Sequence, residues 1–379
     1  MLQVAFINCA DPLIGRIDYA SLPQQALMEM LIAGIEEVDK ICGNRQEPED
    51  LADWHGVSLD KSRQVVERID WSHVGLKGTL HVQWAPPSIK GMIIRYKALA
   101  GSLEIANLPK HLQLFSIRAI KSTPLINKLG GSVDLRKLPA EMEKLDLRKN
   151  AFSGSVDLTK LPACLKELDL SENRLSGLVS LSKLPMEMTE LHLIHNAFTG
   201  PIDLTRLPPS LKSLSLARNK LSGSIDLRKL PVSIVELQLN NNALTGSIDL
   251  TRLPAYLTEL SLFRNQLSGS VNLSKLPADM RELSLTSNAF TGSIDLTQLP
   301  DGMRELRLGS NKFSGEGSID SLPGSLEYLD LSNTNLSGEL TISRSKSDIF
   351  RLCNTHITKH YVDTSSEDAD DMSGRKQVS

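Results

Sequence analysis

Leucine residues recur along the chain at a constant interval of 23 residues. In each interval two leucines flank a single outward residue, and this alternation is typical of a short β-strand with one buried face. Because one such unit cannot bury its own leucines, we expect the units to stack into a continuous parallel sheet. The pattern L-P-x-x-L/M-x-x-L-x-L-x-x-N-x-L/F-S/T-G-S-I/V-D-L begins at Leu138, Leu161, Leu184, Leu207, Leu230, Leu253, Leu276, Leu299 and Leu322.

Less regular units precede Leu138. Residues 66–78 and 89–101 keep the apolar spacing, and a unit that begins at Leu108 carries an insertion before it resumes at Asn127. The pattern therefore predicts about twelve units between residues 62 and 344. A unit of 23 residues leaves little room for a helix on its outer side. The Gly-Ser-Ile-Asp-Leu segment is therefore predicted to form a second short strand or an extended turn.

An asparagine marks the predicted turn at the end of each inner strand. Its amide can both donate and accept hydrogen bonds, so we expect it to satisfy backbone groups in a buried ladder. The set is therefore interpreted as structural and not catalytic. Its members are Asn150, Asn173, Asn196, Asn219, Asn242, Asn265, Asn288 and Asn311.

The L-x-L-x-x-N-x-L-S-G-S-I run resembles the leucine-rich repeat family, and most closely its plant-type, extracellular-receptor class. Residues 54–80, which begin with Trp54, resemble the N-terminal cap of that class, although Leu59 stands where a cap cysteine is expected. The resemblance implies an α/β but mostly β solenoid: a right-handed leucine-rich repeat superhelix with a concave parallel sheet and little convex helix. It implies recognition as the usual role.

The two ends of the chain differ from the repeats. Residues 22–42 have apolar side chains at helical spacing, which predicts a short N-terminal helical cap over the first repeat. Residues 363–379 are acidic and poor in apolar side chains, which is typical of a disordered tail. We therefore divide the chain into a cap region (1–61), a solenoid (62–344), and a C-terminal end with its tail (345–379).

Composition narrows the function classes. Lys and Arg number 42 against 45 Asp and Glu, a net charge of −3, which argues against a general nucleic-acid binder, so no nucleic-acid partner is predicted. No apolar run approaches the length that crosses a bilayer, and the first residues form a poor secretory signal. The sparse cysteines (Cys9, Cys42, Cys164 and Cys353) favour a reducing compartment and a cytoplasmic location. A secreted or surface location is the alternative, and the sequons at Asn272 and Asn335 would permit it.

Sequence motifs for catalysis are absent from the chain. Cys353, His356 and His360 have a spacing that suits a metal, but no second ligand pair lies nearby in sequence. We therefore predict no enzymatic activity, no cofactor and no metal.

The outward residues of the predicted sheet form columns across the units. One column is acidic: Glu167, Glu190, Ser213, Glu236, Glu259, Glu282 and Glu305. It has two interpretations, a solvated ladder compensated by neighbouring cations or a strip that attracts a basic partner. Two further columns vary from unit to unit, as a recognition surface would. The candidate partner-binding residues are Glu190, His192, Ile194, Glu236, Gln238, Asn240, Glu259, Phe263, Glu282, Arg307 and Tyr328.

A basic column lies just before each Leu-Pro on the outer side. It follows a column of aspartates, which favours a charge-balanced exposed surface, with a phosphate-binding or membrane-surface stripe as the alternative. Its members are Lys137, Lys160, Lys183, Arg206, Lys229, Arg252 and Lys275.

The sequence thus predicts a monomeric, non-enzymatic scaffold that binds a protein partner through its concave sheet. Two alternatives stay open: the ectodomain of a secreted or surface receptor-like protein, and the targeting or regulatory subunit of an enzyme.

Overall fold

The structure is a computed structural model that describes residues 22–120, 128–317, 322–343 and 348–362. The first residues, which form a poor secretory signal, and the predicted disordered tail over 363–379 lie outside the described residues. Within the described ranges the chain forms a parallel-strand solenoid of about 12 turns that is mostly β. The predicted right-handed superhelix with a parallel concave sheet is confirmed.

One strand from each coil joins the concave sheet, and the outward residues of neighbouring coils pair in register. Glu236, for example, lies opposite Glu259, and Leu237 opposite Leu260. A short strand, β1 (Val57–Leu59), begins the sheet and is antiparallel to β2. The parallel strands are β2 (Val66–Gly78), β3 (Gly91–Ser102), β4 (Leu114–Ala119), β6 (Lys144–Asp146), β8 (Glu167–Asp169), β10 (Glu190–His192), β12 (Ser213–Ser215), β14 (Glu236–Gln238), β16 (Glu259–Ser261), β18 (Glu282–Ser284), β20 (Glu305–Arg307), β22 (Tyr328–Asp330) and β24 (Phe350–Arg351).

In most coils a second strand follows, but it ends at the glycine, as in Ala243–Gly246, so it lies before most of the Gly-Ser-Ile-Asp-Leu segment for which a strand or an extended turn is predicted. It begins just before the Ser/Thr-Gly pair and is followed in several coils by a single 3₁₀ turn, such as Leu158–Lys160. These strands are β5 (Lys128–Ser132), β7 (Ala151–Ser155), β9 (Arg174–Leu178), β11 (Ala197–Gly200), β13 (Lys220–Gly223), β15 (Ala243–Gly246), β17 (Gln266–Gly269), β19 (Ala289–Gly292), β21 (Lys312–Glu316), β23 (Asn335–Ser343) and β25 (His356–Val362).

The core is a continuous stack of leucines between the two strand layers. Leu214, Leu216 and Leu237 are each at most 1 % exposed, and the same positions of the other coils belong to one hydrophobic cluster. Phe290 and Phe313 stack in neighbouring coils with their ring centroids 6.2 Å apart. Burial of each leucine stabilises the fold by about 2 kcal/mol, and part of the surface that buries it belongs to the coil above or below.

The recurring asparagine connects consecutive coils. Asn219 Nδ2 donates to the carbonyl of Leu216 in its own coil at 3.1 Å and to that of Leu193 in the preceding coil at 3.0 Å. Its Oδ1 accepts from the backbone N–H of Phe198 at 3.1 Å. The predicted asparagine ladder is therefore confirmed. At the C-terminal end Thr334 replaces the asparagine, and its hydroxyl reaches only Leu331 of its own coil.

The N-terminal cap consists of two short helices, α1 (Gln24–Ile32) and α2 (Asp39–Cys42), where the sequence predicted helix over 22–42. The chain leaves the helix at Gly34, because there its backbone pairs with the end of β2: Thr79 N donates to Gly34 O at 2.8 Å. A Cβ at Gly34 would lie 2.6 Å from Thr79 O, so only glycine fits this contact.

The parallel ladder continues beyond residue 344, where the repeat pattern fades. Phe350 pairs with Leu329, and β25 pairs with β23 over seven residues from His356 to Val362. The additional coil therefore covers the last regular repeat. The division of the chain into three regions stays a prediction.

Replacing Asn219 by alanine should destabilise the solenoid by about 3 kcal/mol, because three carbonyls and one N–H lose their partner. The measurement is the denaturant midpoint followed by circular dichroism. Asn335→Ala is the matched control, since Asn335 is exposed. Equal midpoints for the two variants would contradict a structural role for the ladder.

Candidate binding surface

The candidate residues lie on the outward side of the concave strands, but their exposure differs. Phe263, Ile194 and Tyr328 are half-buried between neighbouring side chains rather than fully exposed. Asn240 is only 8 % exposed and therefore offers little surface to a partner. His192 Nε2 lies 3.0 Å from Ser213 Oγ in the next coil.

Six of the eleven candidates line one pocket of about 560 Å³ in the C-terminal half of the sheet. It also contains residues that the candidate list omitted, notably Arg264, Asp330 and Arg351. Arg264 directly follows Phe263, and Asp330 and Arg351 belong to the last strands, where the repeat weakens. The six candidates are Gln238, Glu259, Phe263, Glu282, Arg307 and Tyr328.

One end of this pocket is fixed by contacts among side chains. The guanidinium carbon of Arg307 lies 5.0 Å from the centre of the Tyr328 ring, which is a cation–π arrangement. Arg307 also pairs with Glu305, and Arg351 Nη1 donates to the Tyr328 hydroxyl at 3.5 Å. These contacts hold the side chains of β20, β22 and β24 against one another.

Within the described ranges, the acidic column forms ion pairs at its two ends. Glu167 pairs with Lys144, and Glu305 pairs with Arg307. Among the described residues, Glu190, Glu259 and Glu282 have no ion-pair partner. Lys166, one of the cations expected to compensate the column, pairs instead with Glu143 at 3.0 Å.

The pKa of the Glu259 carboxyl reflects its lack of an ion-pair partner. Burial raises the pKa of its carboxyl above the usual range, and the neighbouring carboxylates of Glu236 and Glu282 raise the pKa further. Glu236 receives hydrogen bonds from Ser213 and Gln238, whereas no described side chain donates to Glu259. The charged form of Glu259 is thus less favourable in the fold than in water.

The outer aspartates have a structural role. Asp226 Oδ1 accepts from the N–H of Arg228 at 2.9 Å, and the Arg228 hydrogen bonds lower the pKa of Asp226 to about 2. Asp203 accepts in the same way from Thr205, which lowers its pKa. These aspartates therefore order the outer turns, and they do not pair with the basic column that follows them.

No metal site emerges among the described residues, where no group of three His, Cys, Asp or Glu side chains could hold an ion. Cys353 is an exposed free thiol, and His360 lies 3.5 Å from Glu339. Helices long and apolar enough to cross a membrane are likewise absent from the described part of the chain.

A family model described as Leucine Rich Repeat matches residues 164–184 and 325–343. These segments contain the inner strands, the turns and the leucines described above. Two coils of the chain thus match the leucine-rich repeat family, and the fold is that of a leucine-rich repeat superhelix. No curated protein matches the chain.

Solved structures share the leucine-rich repeat fold at low sequence identity. A plant ice-binding protein is 21 % identical with a TM-score of 0.54, and the match covers 72 % of this chain and 88 % of that one. A TDR receptor is 23 % identical with a TM-score of 0.50, and the match covers 78 % of this chain and 56 % of the receptor. The chain thus spans little more than half of that receptor. At these identities the matches show the fold alone, and they give the cytoplasmic prediction no support.

Replacing Glu259 by glutamine should raise the thermal midpoint at pH 7. A carboxyl whose pKa is raised by folding favours the fold fully only below its unfolded pKa, and this contribution is lost as pH rises through the higher folded pKa. The gain should vanish near pH 3, where the carboxyl is protonated in both states. Thermal melts at the two pH values measure this.

Glu187→Gln is the matched control, because Glu187 is exposed and forms no ion pair among the described residues. It should show no comparable gain at pH 7. A midpoint for Glu259→Gln that equals the wild type at pH 7 would show that the column is adequately solvated.

Proposed function

We propose that this leucine-rich repeat protein is a non-enzymatic scaffold that binds a protein partner through its concave sheet, at the surface centred on Phe263. The observation that supports this proposal is a set of uncompensated carboxylates beside an accessible aromatic ring. Glu259 and Glu282 line the same pocket as Phe263, and neither forms an ion pair among the described residues. A surface whose charges are left unmatched within the chain can gain by matching them with a partner.

The chemistry of the surface indicates the chemistry of the partner. A lysine or arginine would find the carboxylates of Glu259 and Glu282 within one strand spacing of each other. An apolar side chain beside it would cover Phe263, and aromatic anchors in such central positions dominate interface energetics. The partner segment is therefore basic and partly apolar.

The test is capture of a partner from a native extract by immobilised protein, quantified by mass spectrometry. Glu259→Gln combined with Phe263→Ala should reduce the captured amount at least about tenfold, as expected for a central anchor. Raising the ionic strength should also release the partner, because charge attraction between exposed groups is screened by salt.

The control substitutes two charges of the outer basic column, Lys229→Gln with Arg252→Gln, and should leave capture unchanged. Circular dichroism verifies that both double variants are folded. Capture that survives the concave variant and is lost with the outer variant would place the working surface on the convex side and refute the proposal.

A second function is an ectodomain role at the cell surface or in the secreted state. It is favoured by the exposure of both sequon asparagines, Asn272 and Asn335. Asn272 Oδ1 accepts from the N–H of Ser274, so this sequon forms a local turn at the surface. Both sites are thus accessible to glycosylation machinery.

Glycosidase treatment of native material should lower the mass of the protein if this second role is correct. Asn272→Gln should remove part of the mass shift, and Asn272→Gln with Asn335→Gln should remove all of it. The same mass with and without glycosidase would count against a passage through the secretory route.

A further inference from the structure

A second charged surface lies on the concave sheet, in its N-terminal third. A pocket of about 570 Å³ there is lined by four cationic side chains, Arg95, Arg118, Arg148 and Lys149, and by a single carboxylate, Glu172. None of these residues belongs to the candidate list. They are also remote in sequence from the Phe263 surface, so the pocket is a separate feature.

The three arginines form one column of the sheet. Arg95 lies opposite Arg118 in the paired strands β3 and β4. Ser116 lies opposite Asp146 in the next coil, and Arg118 and Arg148 each follow two residues later in the same register. Stacked strands place such side chains about 4.8 Å apart, and like charges at that separation repel one another. The repulsion among these three guanidinium groups is therefore unfavourable to the fold.

Among the residues that the structure describes, carboxylates contact Arg118, Arg148 and Lys149 but not Arg95. Arg148 contacts Asp146 at 3.1 Å and Asp169 at 3.4 Å, and Lys149 contacts Glu172 at 3.7 Å. Arg118 lies 3.8 Å from Asp146, whose lone pairs are already shared with Ser116 and Arg148. Burial lowers the pKa of Arg118, and the charge of Arg148 lowers it further.

Arg95 has no ion pair and no hydrogen bond among the described residues. It is half-buried, and its Nε is completely shielded from solvent without an acceptor. A buried guanidinium donor without an acceptor destabilises the fold, because it has lost its hydrogen bonds to water and gained none in return. A ligand that brought acceptor oxygens into the pocket would remove this cost and the repulsion within the column together.

We propose that Arg95, Arg118 and Arg148 form a binding site for a phosphoryl group. Guanidinium groups donate pairs of parallel hydrogen bonds that match the geometry of phosphate oxygens, and clusters of arginines are a common solution for phosphate recognition. Ser72 lines the same pocket and adds a hydroxyl donor at its edge. A dianionic group fits better than a single carboxylate, because the pocket contains more than one incompletely matched arginine.

The phosphoryl group has two possible sources, a free phosphorylated small molecule or a phosphorylated side chain of a protein partner. Calorimetric titration of the full chain with inorganic phosphate, O-phospho-L-serine and a phosphoserine peptide separates them. Tighter binding of the phosphopeptide than of phosphoserine identifies a partner side chain, whereas equal binding identifies a small molecule. Either result supports the site.

Arg95→Met should weaken phosphate binding at least about tenfold, the loss expected for a charge-assisted hydrogen bond. Arg206→Met removes an equal charge from the outer basic column and should leave phosphate binding unchanged. Thermal melts provide a second measurement: Arg95→Met should not lower the midpoint, because it relieves repulsion. Arg95→Lys keeps the positive charge but lacks the paired N–H donors of a guanidinium group. It should therefore bind phosphate more weakly than the wild type.

Three results would overturn the site: no phosphate binding by the wild type, equal binding by Arg95→Met and Arg206→Met, or acetate binding as tightly as phosphate. The variant with Glu259→Gln and Phe263→Ala should bind phosphate normally. Because the two surfaces have separate variants, failure of this site is distinguishable from failure of the Phe263 surface.

Discussion

Every coil of this solenoid depends on hydrogen bonds that it cannot make alone. At the turn after each inner strand the backbone carbonyls point into the core, where water is excluded and an unmade hydrogen bond costs about 1–3 kcal/mol. Asn219 satisfies carbonyls in two consecutive coils and also accepts an N–H from the earlier one. The asparagine ladder and the leucine stack are therefore nearest-neighbour interactions, and the stability of the solenoid is a sum over such interfaces.

The inner and the outward residues of each coil have separate roles, which explains why the outward columns can vary. The inner leucines, the asparagine and the turn residues determine the backbone, so the outward residues are free of structural demand. The same column that contains Arg95, Arg118 and Arg148 contains Ser171, Ile194 and Phe263 further along. A single rigid frame thus presents cationic side chains at one end and an aromatic side chain with unmatched carboxylates at the other.

The sequence predicted the solenoid because a fixed interval leaves only one way to stack the coils. The asparagine ladder followed from the donor and acceptor capacity of an amide at a buried turn. The break at Gly34 was not predictable from helical spacing, because it arises from backbone pairing with Thr79, which is distant in sequence. Extension of the Phe263 column back to Arg148 and Arg118 would have revealed the basic pocket. The absence of a partner for Arg95 required coordinates.

Both charged columns oppose the stability of the coils that contain them. Burial and then the neighbouring carboxylates raise the pKa of Glu259, and burial and then the charge of Arg148 lower the pKa of Arg118. Arg118 and Phe263 are six strand steps apart, about 29 Å, so a small molecule cannot contact both surfaces. An extended peptide of about nine residues spans that distance. If one partner occupies both surfaces, its two ends must therefore differ in charge: phosphorylated where it meets the arginines, and basic where it meets the glutamates.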